Sequence, residues 1–121
     1  MTAWDDRTLL EDLLASGVDD WVYAAEVYGI AARSGLAGEG LRPLAVGLIA
    51  EALAEGLVVA GEYDGERHRP WDCAAGEAIL RIAHEWQSWG DAPPAPGAIV
   101  WLELTESGRL LGEAVLERES S

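Results

Sequence analysis

The segment 48–61, LIAEALAEGLVVAG, changes from a helical to an extended pattern at a single glycine. Apolar residues recur every three or four positions before Gly56, and a run of aliphatic residues follows it. This spacing predicts a helix over 41–55. Gly56 is predicted to end that helix in a left-handed conformation, so that Leu57 folds back on the last turn. The aliphatic run then predicts a short strand over 57–62.

A second segment, 101–111, reads WLELTESGRLL and has the opposite order, a strand followed by a helix. Its pattern predicts a strand over 98–104. Thr105 is a favourable N-cap for a last helix that reaches residue 119. The strands over 57–62 and 98–104 are short, and we expect them to pair antiparallel as a two-stranded ribbon.

Two further helices are predicted upstream, over 3–16 and 20–34. The first carries a stripe of leucines, and Thr2 and Asp5 have the spacing of a capping box at its start. Gly17 is expected to end it, because glycine adopts the positive φ that stops a helix.

The second upstream helix is apolar almost all round, which indicates burial on most of its sides. Asp19 or Asp20 is its expected cap, and Trp21 belongs to its apolar arc. A cluster of glycines over 35–40 then predicts a turn into the third helix.

An insertion, 63–97, separates the two predicted strands. Residues 63–71 have the composition of a mixed-charge loop, and Asp72 is the expected cap of a fourth helix over 73–89. Clustered prolines make 91–97 a rigid linker. The chain is therefore expected to be one domain, 1–121, in three parts: a helical core with the first strand (1–62), this insertion (63–97), and the second strand with the last helix (98–121).

The two quoted segments resemble parts of the winged helix-turn-helix regulators of the MarR and PadR kind. In those families a recognition helix ends in Glu-Gly-Leu before a wing strand, and Leu-Thr-Glu-x-Gly-Arg leads from the wing into the C-terminal helix. The resemblance implies a helix-rich α+β domain that is winged-helix-like, with a two-stranded antiparallel wing. The helix over 73–89 would then be an extra helix inserted between the wing strands.

The third helix lacks what a DNA-reading helix needs on its outer face. Arg42 is the single donor there, and Glu51 carries a charge that phosphates repel. The chain has 22 acidic residues against eight arginines and no lysine, a net charge of -14. Such a surface repels duplex DNA, so nucleic acid is not the expected partner.

The composition also indicates whether the chain folds and in which compartment it is expected. Half of the residues are hydrophobic and six are tryptophan, enough to build a core rather than a disordered chain. Cys73 is the single cysteine, which excludes an intrachain disulfide. No apolar leader or membrane-length stretch is present, so we expect a cytoplasmic protein without membrane contact.

No residue pattern predicts catalysis, a metal site or a cofactor. His84-Glu85 has the start of a zinc-protease motif, but Ser88 stands where the second histidine is required. Cys73 has no assignable base, and a chain without lysine cannot form a phosphate-binding P-loop. The chain is therefore not expected to be an enzyme.

Small residues repeat along the outer face of the third helix and would let another helix approach closely. Two interpretations stay open: the inserted helix packs on this row within the monomer, or the row is a groove for a partner or a second copy. We call this set the small-residue row: Pro43, Gly47, Ala50 and Ala54.

A second candidate for partner binding is the basic loop, defined as Arg67, His68, Arg69, Pro70 and Trp71. It is either a surface loop that balances neighbouring acids or a hot spot, since Arg and Trp are enriched where binding energy concentrates. The six tryptophans divide by periodicity. Those at 21, 86, 89 and 101 are predicted to be core, and Trp4 and Trp71 to be exposed.

Charge and composition together favour a non-catalytic, acidic protein-interaction module. We expect a small accessory, inhibitor or immunity-type protein that binds a protein partner or itself. The alternative is a winged-helix transcriptional regulator that binds DNA as a dimer.

Overall fold

The computed structural model describes residues 7–36 and 38–120. Within them the chain forms an α+β domain with five α-helices and a four-stranded antiparallel sheet. In chain order the elements are α1 (Leu9–Asp19), β1 (Val22–Tyr23), α2 (Ala24–Ala32), a 3-10 turn (Gly38–Gly40), α3 (Leu41–Ala54), β2 (Val58–Tyr63), β3 (His68–Pro70), α4 (Ala75–Gln87), β4 (Trp101–Leu104) and α5 (Glu106–Ser120).

The sheet has the strand order β1-β4-β2-β3. The predicted antiparallel pairing of β2 with β4 is confirmed, with Val58 opposite Leu104. The sheet is nevertheless larger than the predicted two-stranded ribbon, because β1 and β3 extend it on either side. One face of the sheet packs against the helices through five buried residues: Val22, Val58, Ala60, Leu102 and Leu104.

The first helix lies further along the chain than the predicted 3–16. Thr8 and Glu11 form its capping box: the Glu11 N–H donates to Thr8 Oγ1 at 3.0 Å, and the Thr8 N–H donates to Glu11 Oε1 at 2.9 Å. The predicted box at Thr2 and Asp5 lies outside the described residues. Within the described residues, the capping box is the one that directly precedes the leucine stripe.

The expectation that Gly17 ends this helix is wrong. The glycine lies inside α1, which continues to Asp19. A Cβ added at position 17 would lie 2.8 Å from side-chain carbons of Leu104. The missing side chain therefore serves the close approach of α1 to β4, and not a turn.

The second helix is shorter than the predicted 20–34 because its first residues join the sheet. Val22 pairs with Leu102, and the helix begins only after this two-residue strand. Asp20 is the C-cap of α1 and does not cap α2; its Oδ1 accepts a hydrogen bond from the Trp21 backbone N–H at 2.8 Å. Strand pairing thus overrides the local helical periodicity.

The third helix and its exit confirm the prediction over 41–55 to within one residue. Gly56 has a φ of +72°, and the Leu57 N–H donates to the Ala52 carbonyl at 2.9 Å. These are the bonds of a glycine-terminated helix whose chain turns back on its last turn. Thr105 caps α5 as predicted, by accepting a hydrogen bond from the backbone of that helix.

The predicted loop 63–71 contains the strand β3. Asp64 Oδ1 accepts hydrogen bonds from the backbone N–H groups of Glu66 and Arg67 at 2.9 Å and 3.0 Å, which closes a tight turn between β2 and β3. Pro70 is tolerated because β3 is an edge strand, where a missing N–H interrupts no ladder on the open side.

The fourth helix, α4, is two residues shorter at each end than the predicted 73–89. Asp72 does not cap it, since the N-cap is Ala74, which makes no side-chain bond. The second ribbon strand begins at 101 and not at 98. Ile99 has a φ of 74°, which is incompatible with an extended strand.

A cluster of charged side chains joins the start of the described chain to α5. Asp12, only 7 % exposed, accepts hydrogen bonds from Arg7 Nη1 at 2.9 Å and from Arg33 Nη1. Arg7 Nη2 also donates to Glu119 Oε1 at 2.6 Å. The hydrogen bond from Arg7 lowers the pKa of Glu119 below its ordinary value of 4.5.

This lowered pKa predicts a pH-dependent contribution to stability. Because the folded pKa of Glu119 lies below the unfolded one, its stabilising effect is complete above about pH 5 and is lost as the pH falls through the folded pKa. We expect Glu119→Gln to unfold at lower urea concentration than the wild type at about pH 7, and the difference to shrink at about pH 3. A difference in free energy of unfolding that stays constant over this range would contradict the assignment.

Candidate interaction face

The face of the sheet that points away from the helices carries aromatic side chains. Trp101 lies opposite Tyr23 on one neighbouring strand and opposite Gly61 on the other, and Tyr63 lies opposite His68. Directly opposed residues in antiparallel strands project to the same side of the sheet. The indole of the residue before β1 joins them. We call this set the aromatic face: Trp21, Tyr23, Tyr63, His68 and Trp101.

The rings of the aromatic face hold one another in place. The ring centroids of Trp21 and Tyr63 are 5.3 Å apart, as are those of Tyr63 and Trp101. Trp21 also meets Trp101 edge-on at 6.4 Å, and Tyr23 lies 5.2 Å from Trp101. These separations are typical of attractive aromatic pairs. Tyr63 is 43 % exposed and the other three rings are half-buried, so the cluster keeps accessible surface.

His68 is buried against the strand beneath it. A Cβ at Gly61 would lie 2.5 Å from the His68 ring and 2.3 Å from the Arg69 carbonyl oxygen, so only glycine leaves room for this packing. His68 Nε2 donates to the Trp101 carbonyl at 2.9 Å, since a carbonyl can only accept. Its Nδ1 has no hydrogen-bond partner among the described residues and lies 4.0 Å from Glu103 Oε2.

An acidic cleft of about 300 Å³ opens beside the aromatic face. Trp21 and Glu103 form one wall, where the indole N–H donates to Glu103 Oε2 at 2.9 Å. Asp19 and Asp20 at the end of α1 and Arg109 on α5 complete the lining. Three carboxylates against one guanidinium leave the cleft negative.

The predicted basic loop is not one patch. His68 belongs to the aromatic face, whereas Arg69 lies opposite Glu62 on the other side of the hairpin, and its Nε donates to Asp64. The backbone N–H of Arg67 and the Arg69 side chain hold the pKa of Asp64 well below its usual range. Strand alternation therefore separates residues that are adjacent in sequence.

Trp71 was predicted to be exposed but is half-buried. The guanidinium carbon of Arg81 on α4 lies 3.7 Å from its ring centroid, within the range of a cation–π contact. Trp71 and the exposed Cys73 line a small cleft of about 170 Å³. The ring thus joins the segment that follows β3 to α4, while Trp4 lies outside the described residues.

The small-residue row lies on the outer side of α3, as predicted. The inserted helix α4 packs beside this row and does not cover it: a Cβ at Gly47 would meet no heavy atom within 4 Å. A shallow groove of about 400 Å³ remains between α3 and α4, with Pro43, Gly47 and Ala83 among its lining residues.

The four tryptophans predicted to be core differ in burial. Trp86 is fully buried, but Trp89, beyond the end of α4, is 38 % exposed. Trp21 and Trp101 are half-buried on the aromatic face, so their assignment to the core was wrong. Trp21 precedes a strand and not a helix, and the ladder turns Trp101 away from the leucines beside it.

Sequence patterns had missed Trp21, Tyr63 and Glu103 as candidate site residues. One signal was present: in 101–104 a tryptophan and a glutamate alternate with two leucines, which places them on the face away from the core. Trp21 and Tyr63 carry no comparable signal, because their meeting depends on the pairing of distant strands.

Among residues 7–36 and 38–120, no group of three or more His, Cys, Asp or Glu side chains is placed to hold a metal ion. In the same part of the chain, every helix is too short or too polar to cross a bilayer. Comparisons of the chain with models of protein families, with curated proteins and with solved structures found no match.

Proposed function

We propose that this chain is a non-catalytic protein-interaction module with a winged-helix-like fold, and that its partner is a basic protein. The observation that carries the proposal is the aromatic face, which is accessible and adjoins the acidic cleft. Tryptophan and tyrosine are the residues in which binding energy concentrates at protein interfaces. Rings that already hold one another in place lose little side-chain entropy on binding.

The charge of the chain supports a basic partner. A net charge of -14 attracts positively charged surfaces over long distances and speeds their encounter. Asp19, Asp20 and Glu103 place part of this charge beside the aromatic face. Long-range attraction and local contact therefore act at the same place.

The order of elements supports the winged-helix-like part of the proposal. Helices α2 and α3 are joined by a glycine-rich turn, and β2 and β4 pair antiparallel before α5. The segment between β2 and β4 holds β3 and α4, additional to a plain wing. Within this insertion, β3 places His68 opposite Tyr63 of β2 on the aromatic face.

A DNA-binding role has weaker support. On the outer side of α3, Glu51 is exposed and the Arg42 guanidinium lies 4.0 Å from an Asp91 carboxylate oxygen. A helix that enters the major groove presents several uncompensated donors to bases and phosphates. If the chain associates with a second copy of itself, the groove beside Gly47 is the candidate surface.

The proposal is tested by using the tagged chain to capture a partner from its native extract, with identification by mass. We expect a basic protein that is retained at about 0.1 M salt and released at about 0.5 M salt, since charge attraction is screened. The double variant Trp21→Ala/Tyr63→Ala should lose this protein. Gly47→Gln, which fills the groove beside α3, should retain it.

The opposite pattern would move the interface to α3. Retention by the aromatic-face variant together with loss by Gly47→Gln would contradict the proposal. Specific binding of duplex DNA at low salt, which weakens steeply as salt is added, would support the regulator instead.

A further inference from the structure

We infer that the acidic cleft receives the guanidinium of an arginine side chain of the partner, stacked on Trp21 and paired with Glu103. This inference rests on the proposed function and names the chemical group that the face recognises. It assigns Trp21, Glu103, Asp19 and Asp20 as the binding residues.

The first support is the pairing of an aromatic wall with carboxylates. A guanidinium stacks on the face of a tryptophan ring, which is the best aromatic partner for a cation. It also forms two parallel hydrogen bonds with one carboxylate, which an ammonium cannot match geometrically. Trp21 and Glu103 stand side by side in the cleft, so one planar cation can meet both.

The second support is that this wall is already fixed in position. The Trp21 indole N–H is bonded to Glu103 at 2.9 Å, and its backbone N–H is bonded to Asp20 at 2.8 Å. Contacts of the Trp21 ring with Tyr63 and Trp101 further restrict its orientation. A site whose groups are held before the ligand arrives binds with a smaller entropic cost.

The third support is the histidine behind Glu103. His68, with a side chain 1 % exposed, turns an unpartnered Nδ1 towards the Glu103 carboxylate at 4.0 Å. The Glu103 carboxylate accepts one direct hydrogen bond, from the Trp21 indole N–H, while His68 Nδ1 at 4.0 Å lies beyond hydrogen-bond distance. Its capacity to accept hydrogen bonds is therefore not filled by an arginine of the described chain, and a partner's arginine can fill it.

Arg109 provides a further check on the inference. It lines the same cleft with a positive charge and so opposes the entry of a cation. Removing the Glu103 charge should therefore weaken binding, and removing the Arg109 charge should strengthen it. A surface that attracts basic proteins only through its overall charge gives the same signs but does not depend on position.

The experiment is a calorimetric titration with three short peptides. They carry arginine, lysine or citrulline at the same two positions and are otherwise identical; citrulline keeps the shape of arginine without its charge. For the wild type we expect the arginine peptide to bind best, and the citrulline peptide to bind at least about tenfold more weakly, as for the loss of a charge-assisted hydrogen bond. Equal binding of arginine and citrulline peptides would overturn the inference.

Variants locate the site. Glu103→Gln keeps an oxygen to accept the Trp21 N–H and should weaken binding of the arginine peptide about tenfold. Trp21→Leu should weaken it about fivefold, and Arg109→Gln should strengthen it about twofold. Glu51→Gln on α3 is the matched control, since it removes the same charge at an exposed position and should leave the affinity within about twofold of the wild type.

The outcomes separate this inference from the function on which it rests. If the arginine peptide binds but Glu103→Gln and Glu51→Gln weaken it equally, the cleft is wrong and a basic partner still stands. If neither cationic peptide binds and the wild type captures no basic protein, both the cleft and the proposed function fail.

Discussion

Replacing Gly108 by alanine is expected to remove a large part of the stability of the domain. A Cβ at this position would lie 2.0 Å from the Leu57 carbonyl oxygen, which belongs to the backbone and cannot rotate away. The same oxygen accepts the Thr105 N–H at 3.0 Å, so movement also breaks the junction of α5 with the start of β2. We expect a loss of about 3 kcal/mol, measured by urea unfolding.

Gly47→Ala is the matched control for this change. It adds the same methyl group inside a helix, at a position where a Cβ meets no heavy atom within 4 Å. Alanine has the higher helix propensity, so we expect a gain of up to about 1 kcal/mol. Equal effects of the two substitutions would show that the contact between α5 and Leu57 is not as close as described.

Replacing Trp86 by alanine is the second change with a large expected effect. Trp86 is fully buried and belongs, with Ala78 and Ile82, to the buried face of α4. Truncation of a buried tryptophan leaves a cavity and costs about 3–5 kcal/mol, against a total stability of about 5–15 kcal/mol for a small domain. The expected result is a much lower urea midpoint.

Trp89→Ala tests whether burial is the cause. Trp89 lies three residues further on and is 38 % exposed, so its truncation should cost less than about 1 kcal/mol. A cost for Trp89→Ala similar to that for Trp86→Ala would contradict the placement of α4 on the core.

Sequence patterns predicted the parts of the fold that local interactions determine. The end of α3 needs only Gly56 and the residues within one turn of it, and the Thr105 cap needs only the start of α5. Strand β1 could not be predicted in this way. Its two residues have no periodicity, and they become a strand only because Val22 meets Leu102, far along the chain.

The candidate site was hidden for the same reason. Trp21, Tyr63 and Trp101 come from three segments, and each was interpreted from its own neighbours in sequence. Trp21 fits the apolar stripe of a helix if 20–34 is taken as one helix. In the structure, strand β1 takes the place of the first turn of that helix, and Trp21 therefore lies on the sheet. The prediction that the basic loop forms one patch was wrong for the opposite reason: neighbours in sequence are separated in space, because alternation along β3 places His68 and Arg69 on different sides.

The most direct test of the aromatic face as the interaction surface is a nuclear magnetic resonance titration that follows the indole N–H signals of the six tryptophans. On addition of the arginine peptide or the captured basic protein, the signals of Trp21 and Trp101 should shift, while that of the fully buried Trp86 stays in place. Shifts confined to backbone amides of α3, with the Trp21 signal unchanged, would contradict the account.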